Sequence, residues 1–153
     1  MRTQLHAAFA LLFLLLPAAG HAQDYPKGQL PTTATPTHYT VDLITRPDQR
    51  AFSGHVTIDV TLAAPTKVIW LHGQELKVRE ATVTSEGGKP VAATWREIPD
   101  SDGVASLTLA SEVRGPKVRI SIKYDADYNR QLEGLYRADD GGEAYLYSQM
   151  ETI

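Results

Sequence analysis

The chain has 153 residues, 22% of them charged and 42% hydrophobic, with a formal charge of −3 and no cysteine. Nucleic acid and anionic membrane surfaces reward an excess of Lys and Arg, so this acidic balance argues against both as partners. Without a thiol there is no disulfide, no cysteine nucleophile and no thiolate metal site, and folding must rest on one buried core.

Arg2 precedes the unbroken apolar run Ala7–Leu16, Pro17 ends it, and Gly20-His21-Ala22 offers the small residues that signal peptidase reads. Residues 1–22 are therefore expected to be an export leader, with the mature chain starting at Gln23 in the periplasm or outside the cell. The apolar run is too short for a hydrocarbon core of about 30 Å, and no later stretch is apolar enough, so no membrane span is expected. Loss of Arg2 makes the mature chain one unit more acidic.

Residues 23–37, rich in Pro, Thr and Gly without periodicity, read as an extended lead-in. From His38 the pattern changes, and Tyr39, Val41 and Leu43 form the apolar face of a strand. Arg46–Arg50 is a turn. Phe52–Leu62 then alternates most cleanly, with Val56, Ile58, Val60 and Leu62 against His55, Thr57, Asp59 and Thr61. Lys67–His72 is apolar on both faces, which suggests a strand covered on both sides. Leu76–Thr84 is a weaker strand, interrupted by Lys77, Arg79 and Glu80. Gly87-Gly88 turns the chain into Val91–Ile98, and Pro99–Gly103 turns it into Val104–Ala110. After Gly115-Pro116, Val118, Ile120, Ile122 and Tyr124 again alternate, and Asp125–Glu133 is polar and irregular. The chain closes on a hairpin: Gly134–Tyr136, a turn in Ala138–Gly142 whose residues tolerate positive φ, and Tyr145–Gln149. Spacing of two puts Gln149 and Glu151 on one face.

No stretch shows helical spacing, so less than about a fifth helix is expected. Short strands with frequent turns imply an all-β fold, an antiparallel β-sandwich or curved sheet assembly, with Val56, Ile58 and Val60 buried against Val118, Ile120 or Ile122.

Candidate chemistry is sparse. His21, His38, His55 and His72 fall at intervals of seventeen, on different segments and without HExxH, which does not resemble a metal site. Ser53, His55 and Asp59 contain the residue types of a hydrolase triad, but no GxSxG elbow is present and a shared polar strand face explains them. Trp70, Trp95 and the seven tyrosines could form a sugar platform, although strand aromatics more commonly pack the core. Asp125, Asp127, Asp139 and Asp140 lack the spacing of a calcium loop. Gln149 and Glu151 alone would be an ordinary exposed pair.

Five segments give that pair more weight. Leu30-Pro31, Pro36-Thr37-His38-Tyr39-Thr40-Val41-Asp42-Leu43, Phe52-Ser53-Gly54-His55-Val56-Thr57-Ile58, Ile69-Trp70-Leu71-His72 with Leu76-Lys77-Val78, and finally Gly134-Leu135-Tyr136-Arg137 with Ser148-Gln149-Met150-Glu151 occur in this order. Together they resemble the N-terminal domain of the aminopeptidase N-like zinc metallopeptidases, the gluzincin aminopeptidases, over essentially the whole mature chain. The resemblance implies that residues 38–153 form a curved, saddle-like β domain that packs against a thermolysin-like catalytic domain. It implies that Gln149 lines the pocket for a peptide's first side chain and that Glu151 binds its free α-amino group. A desolvated carboxylate is the natural partner of an ammonium. The family's HExxH, distal glutamate and G-x-M-E-N loop are absent from the 153 residues. The expectation is thus a truncated aminopeptidase with no cofactor of its own (zinc belonging to the full-length parent) and no hydrolytic activity alone. Its partners would be the missing catalytic domain and, through it, peptide N-termini. A free-standing extracellular β-sandwich that binds a ligand, or a purely structural domain, is the alternative.

Overall fold

The computed structural model describes residues 25–149. They form nine strands: β1 (Ala34–Ile44), β2 (Ala51–Leu62), β3 (Thr66–His72), β4 (Lys77–Ser85), β5 (Val91–Glu97), β6 (Val104–Val113), β7 (Lys117–Asp127), β8 (Gly134–Asp140) and β9 (Glu143–Gln149). There is no helix among the described residues, and none therefore long and apolar enough to cross a membrane. Seven strands make one antiparallel sheet in the order β1-β2-β7-β4-β5-β6-β3, curled into a half-barrel, and β8 and β9 pair separately. The expected leader lies outside the described residues.

The alternation in β2 and β7 becomes a set of rows across the sheet. Ile58 pairs with Ile120, which pairs with Val83 of β4; Val60 pairs with Val118; Val56 pairs with Ile122, which pairs with Ala81. Ile58, Val60, Val118, Ile120 and Ile122 are buried, while Val56 is half-buried against the cluster. The curl brings Ile69 of β3 and Leu107 of β6 into the same core. Full burial of such side chains is worth about 1.5–3 kcal/mol each. The opposite face carries polar rows, including Asp59–Arg119 and Glu80–Lys123 ion pairs at 2.7 and 3.0 Å.

Three elements differ instructively from the sequence pattern. The charges interrupting β4 coincide with a register shift between Val78 and Glu80, and Lys77 and Arg79 pair with Asp127 and Asp125. Strand β7 runs on to Asp127, where the composition had looked irregular, because Ala126 continues the buried row. Strand β1 begins at Ala34, ahead of the clean alternation, and its apolar face is not covered. Tyr39, Val41 and Leu43 share the inner face with Ile58, Val56 and Gly54, yet remain 54%, 53% and 43% exposed because β1 is an outer strand at the open side of the curl.

Gly54 shows why one position in β2 tolerates no side chain. It lies across from Tyr124, whose ring covers it, and a Cβ there would overlap that ring. Gly54→Ala is expected to destabilise the chain by about 1–3 kcal/mol through overpacking, and Ile120→Ala by about 2–5 kcal/mol through a cavity. Urea unfolding measures both, and a loss below about 0.5 kcal/mol at either position would contradict this packing.

Candidate functional site

The hairpin that carries Gln149 is built from its turn outward. Gly141 and Gly142 have φ of 59° and 89°, the left-handed pair that a two-residue type I′ turn demands. They set the register Asp140↔Glu143, Ala138↔Tyr145, Tyr136↔Tyr147 and Gly134↔Gln149. Tyr145, Tyr147 and Gln149 thus occupy one face, opposite Ala138, Tyr136 and Gly134. Tyr136 and Tyr147 stack with ring centroids 5.5 Å apart and planes at 22°. Tyr145, Tyr147 and Gln149 are all exposed.

The hairpin is tied to the main sheet through residues that the sequence reading passed over. Just beyond β7, Asn129 bridges to Tyr136: its N–H donates to the Leu135 carbonyl at 3.0 Å, and its carbonyl accepts from the Arg137 N–H at 3.3 Å. The Arg137 guanidinium donates to the Pro47 carbonyl at 2.8 Å and to Asp139 at 2.6 Å. Buried Tyr128 packs on Phe52 at 5.3 Å, and its hydroxyl accepts the Arg46 N–H at 2.9 Å. The turn before β2, the end of β7 and the base of the hairpin are therefore one connected unit. A cavity of about 580 Å³ lies beside it, lined in part by Phe52, Leu76, Tyr128, Gly134 and Leu135. Only the G-L-Y-R stretch had hinted at these roles. Of the two residues assigned to substrate, Gln149 ends β9, and Glu151 lies outside the described residues.

The other sequence candidates disperse. Ser53 donates to Asp125 at 2.7 Å, His55 Nε2 shares a hydrogen bond with Ser121 Oγ at 2.8 Å, and Asp59 pairs with Arg119, so these three do not converge. His55 Nδ1 does lie 4.0 Å from Asp42. That set sits on an open strand face, where the ladder engages the backbone N–H groups an oxyanion would need. Asp125, Asp127 and Asp139 are each paired with a basic side chain. Among the described residues no three His, Asp or Glu side chains are grouped to hold a metal. Trp95 packs against the core, and its indole N–H is buried without a partner.

Two electrostatic shifts have clear causes. The hydrogen bond from Arg119 holds the Asp59 carboxyl below its ordinary range, and burial pushes the Tyr124 phenol up. Because the folded Asp59 favours ionisation, its contribution to stability is present above the unfolded value of about 3.9 and fades as pH falls through the lower folded value. An NMR titration should place the Asp59 midpoint below that of an ordinary Asp, and Arg119→Gln should move it back up; an unmoved midpoint would show that Arg119 is not the cause.

An aromatic stack is worth about 0.5–1.5 kcal/mol, so Tyr136→Ala should speed amide exchange in β8 and β9 by roughly 2- to 12-fold. Exchange in β2 and β7 should stay unchanged. Equal acceleration throughout would mean that the outer part of the hairpin does not open independently of the main sheet.

Comparison with known proteins bears on this geometry. Residues 35–153 match the sequence profile of the peptidase M1 N-terminal domain. The chain is 31% identical over 124 residues to the puromycin-sensitive aminopeptidase of Caenorhabditis elegans, an alignment covering 78% of the chain and 13% of that protein. It is 36% identical over 119 residues to the glutamyl aminopeptidase of Mus musculus, covering 74% and 13% respectively. With the endoplasmic reticulum aminopeptidase 1 of Rattus norvegicus it shares 24% over 127 residues, covering 80% and 14%. The chain thus spans about an eighth of the length of the curated relatives it matches.

Proposed function

The chain belongs to the peptidase M1 N-terminal domain family, and from that premise we propose that it is the substrate-end-reading domain of an exported zinc aminopeptidase. What supports the reading is the hairpin: a register set by Gly141-Gly142 and the Tyr136–Tyr147 stack delivers Gln149 on an exposed face at the end of β9. Glu151 follows two positions later in the sequence.

In this reading Gln149 contacts the first side chain of a peptide, and Glu151 takes its free α-ammonium. An ammonium in a water-excluded cleft gains more from a carboxylate than it would in bulk water. The pair therefore rewards a substrate that ends where the site begins, which is what removal of single N-terminal residues requires. The zinc of such an enzyme polarises the scissile carbonyl and activates water. In this reading the domain's own work is to bind and orient. Export rests on the leader-like residues 1–22, and a periplasmic or secreted location follows from it.

The test needs a longer polypeptide in which these residues adjoin a catalytic domain. There Glu151→Ala should lower kcat/KM for substrates with a free amino terminus by roughly 30- to 700-fold, about 2–4 kcal/mol of transition-state stabilisation. Gln149→Ala should reorder preference among first side chains with a smaller overall loss. Unchanged constants in Glu151→Ala would sink the amine-anchor assignment. The 153-residue chain alone should release no product from aminoacyl-nitroanilides and retain no stoichiometric zinc.

A further inference from the structure

Strand β1 is an outer strand of the seven-stranded sheet, and its far side has no neighbour among the described residues. Natural sheet edges usually discourage further pairing with charged side chains, proline or bulges. Here Asp42 is the only Asp, Glu, Lys or Arg between Ala34 and Ile44, and proline and the register shift are confined to the start, at Pro36–His38. The rest of the edge presents Tyr39, Val41, Leu43 and Ile44, from 43% to 67% exposed. Such an edge is a template for another strand.

We propose that β1 pairs antiparallel with β1 of a second copy of this chain about a two-fold axis at Thr40, doubling the seven-stranded sheet. The choice of occupant and register comes from the side chains. With the axis at Thr40, Tyr39 faces Val41 of the other copy on the inner side, twice over. On the outer side His38 faces Asp42, also twice, and the two Thr40 hydroxyls face each other. Aromatic with β-branched and Thr with Thr are cross-strand combinations that stabilise antiparallel pairs, and an imidazole N–H facing a carboxylate can donate a hydrogen bond to it.

The neighbouring registers that keep both inner faces on one side are worse. An axis at Asp42 sets the two carboxylates directly opposite, which is destabilising. An axis at Val41 keeps apolar pairs on the inner side, Val41 with Val41 and Tyr39 with Leu43, but sets His38 against Ile44 and Asp42 against Thr40, so both imidazole–carboxylate pairs and the Thr pair are lost. The surroundings also favour the Thr40 register. His55 lies 4.0 Å from Asp42, and His38 is the cross-strand partner of Asp59. The seam would thus carry Asp59, His38, Asp42 of the second copy and then that copy's His55, acidic and imidazole groups in alternation.

The absence of cysteine makes the test direct. The 153-residue chain should sediment as a dimer at roughly 100 µM. Thr40→Cys should oxidise to a cross-linked dimer, because facing Cβ atoms in such a pair lie about 4.5–5.5 Å apart, close to disulfide reach. Leu43→Cys should cross-link at least about tenfold more slowly, since its thiols would lie roughly 20 Å apart along the pair. Position-specific cross-linking separates this pairing from association through Ala7–Leu16. Val41→Lys should weaken the dimer at least tenfold, and the charge swap His38→Asp with Asp42→Lys should pair better than His38→Asp alone, circular dichroism verifying that each variant folds. A monomer throughout that range would overturn the proposal and leave the face to another partner, and so would equal cross-linking at positions 40 and 43 or a dimer indifferent to Val41→Lys.

Discussion

Strand β7 is hydrogen-bonded on both sides, and every inward side chain on it completes a row that neither neighbour could fill alone. Val118 meets Val60, Ile120 meets Ile58 and Val83, Ile122 meets Val56 and Ala81, and Tyr124 lies over Gly54. Remove that strand and β1–β2 separates from β4–β5–β6–β3, since the sheet order runs through it. The ion pairs on the opposite face join the same strands but are exposed to solvent, where screening leaves them little to contribute. Burial of the inner rows is therefore the interaction on which the half-barrel depends.

The position of Gln149 is inherited from that strand by a short succession of contacts. The buried row of β7 ends at Ala126, Tyr128 follows it into the interior, and Asn129 receives the hairpin at Leu135 and Arg137. From there the pairing of Tyr136 with Tyr147 carries the register to Gly134 and Gln149. Each link is local and inexpensive, but all refer back to the core. Gln149, near the end of a small hairpin, is thereby positioned by a strand in the middle of another sheet.

The elements easiest to read from sequence were those whose side chains settle the matter locally. Alternation in Phe52–Leu62 and Val118–Tyr124 marked β2 and β7 and their buried faces, and the run Ala138–Gly142 marked the hairpin turn, which the structure narrows to Gly141-Gly142 because β8 continues to Asp140. The spacing of two that would put Gln149 and Glu151 on one face was also read from sequence, although Glu151 lies outside the described residues. Alternation does not say whether a face is covered, however. Tyr39, Val41 and Leu43 alternate much as the β2 residues do, yet they stay exposed because nothing local encodes a place at the edge of the sheet. The hydrogen bond from Arg137 to the Pro47 carbonyl was equally hidden, since its partners are 90 residues apart. The substrate roles proposed for Gln149 and Glu151 rest on resemblance, for an amide and a carboxylate at spacing two look like ordinary surface.

The position of β7 in the chain has a consequence for the protein's birth. The Asp59–Arg119, His55–Ser121 and Ser53–Asp125 contacts close loops of 60, 66 and 72 residues. At synthesis rates of about 5–20 residues per second, β2 waits roughly 3–14 s for the strand that will cover its apolar row. Through that interval the nascent β1–β2 segment carries bare valine and isoleucine side chains with no neighbour to receive them. An apolar row left uncovered for that long is exposed to aggregation, so yield is set there as well as by the stability of the finished sheet.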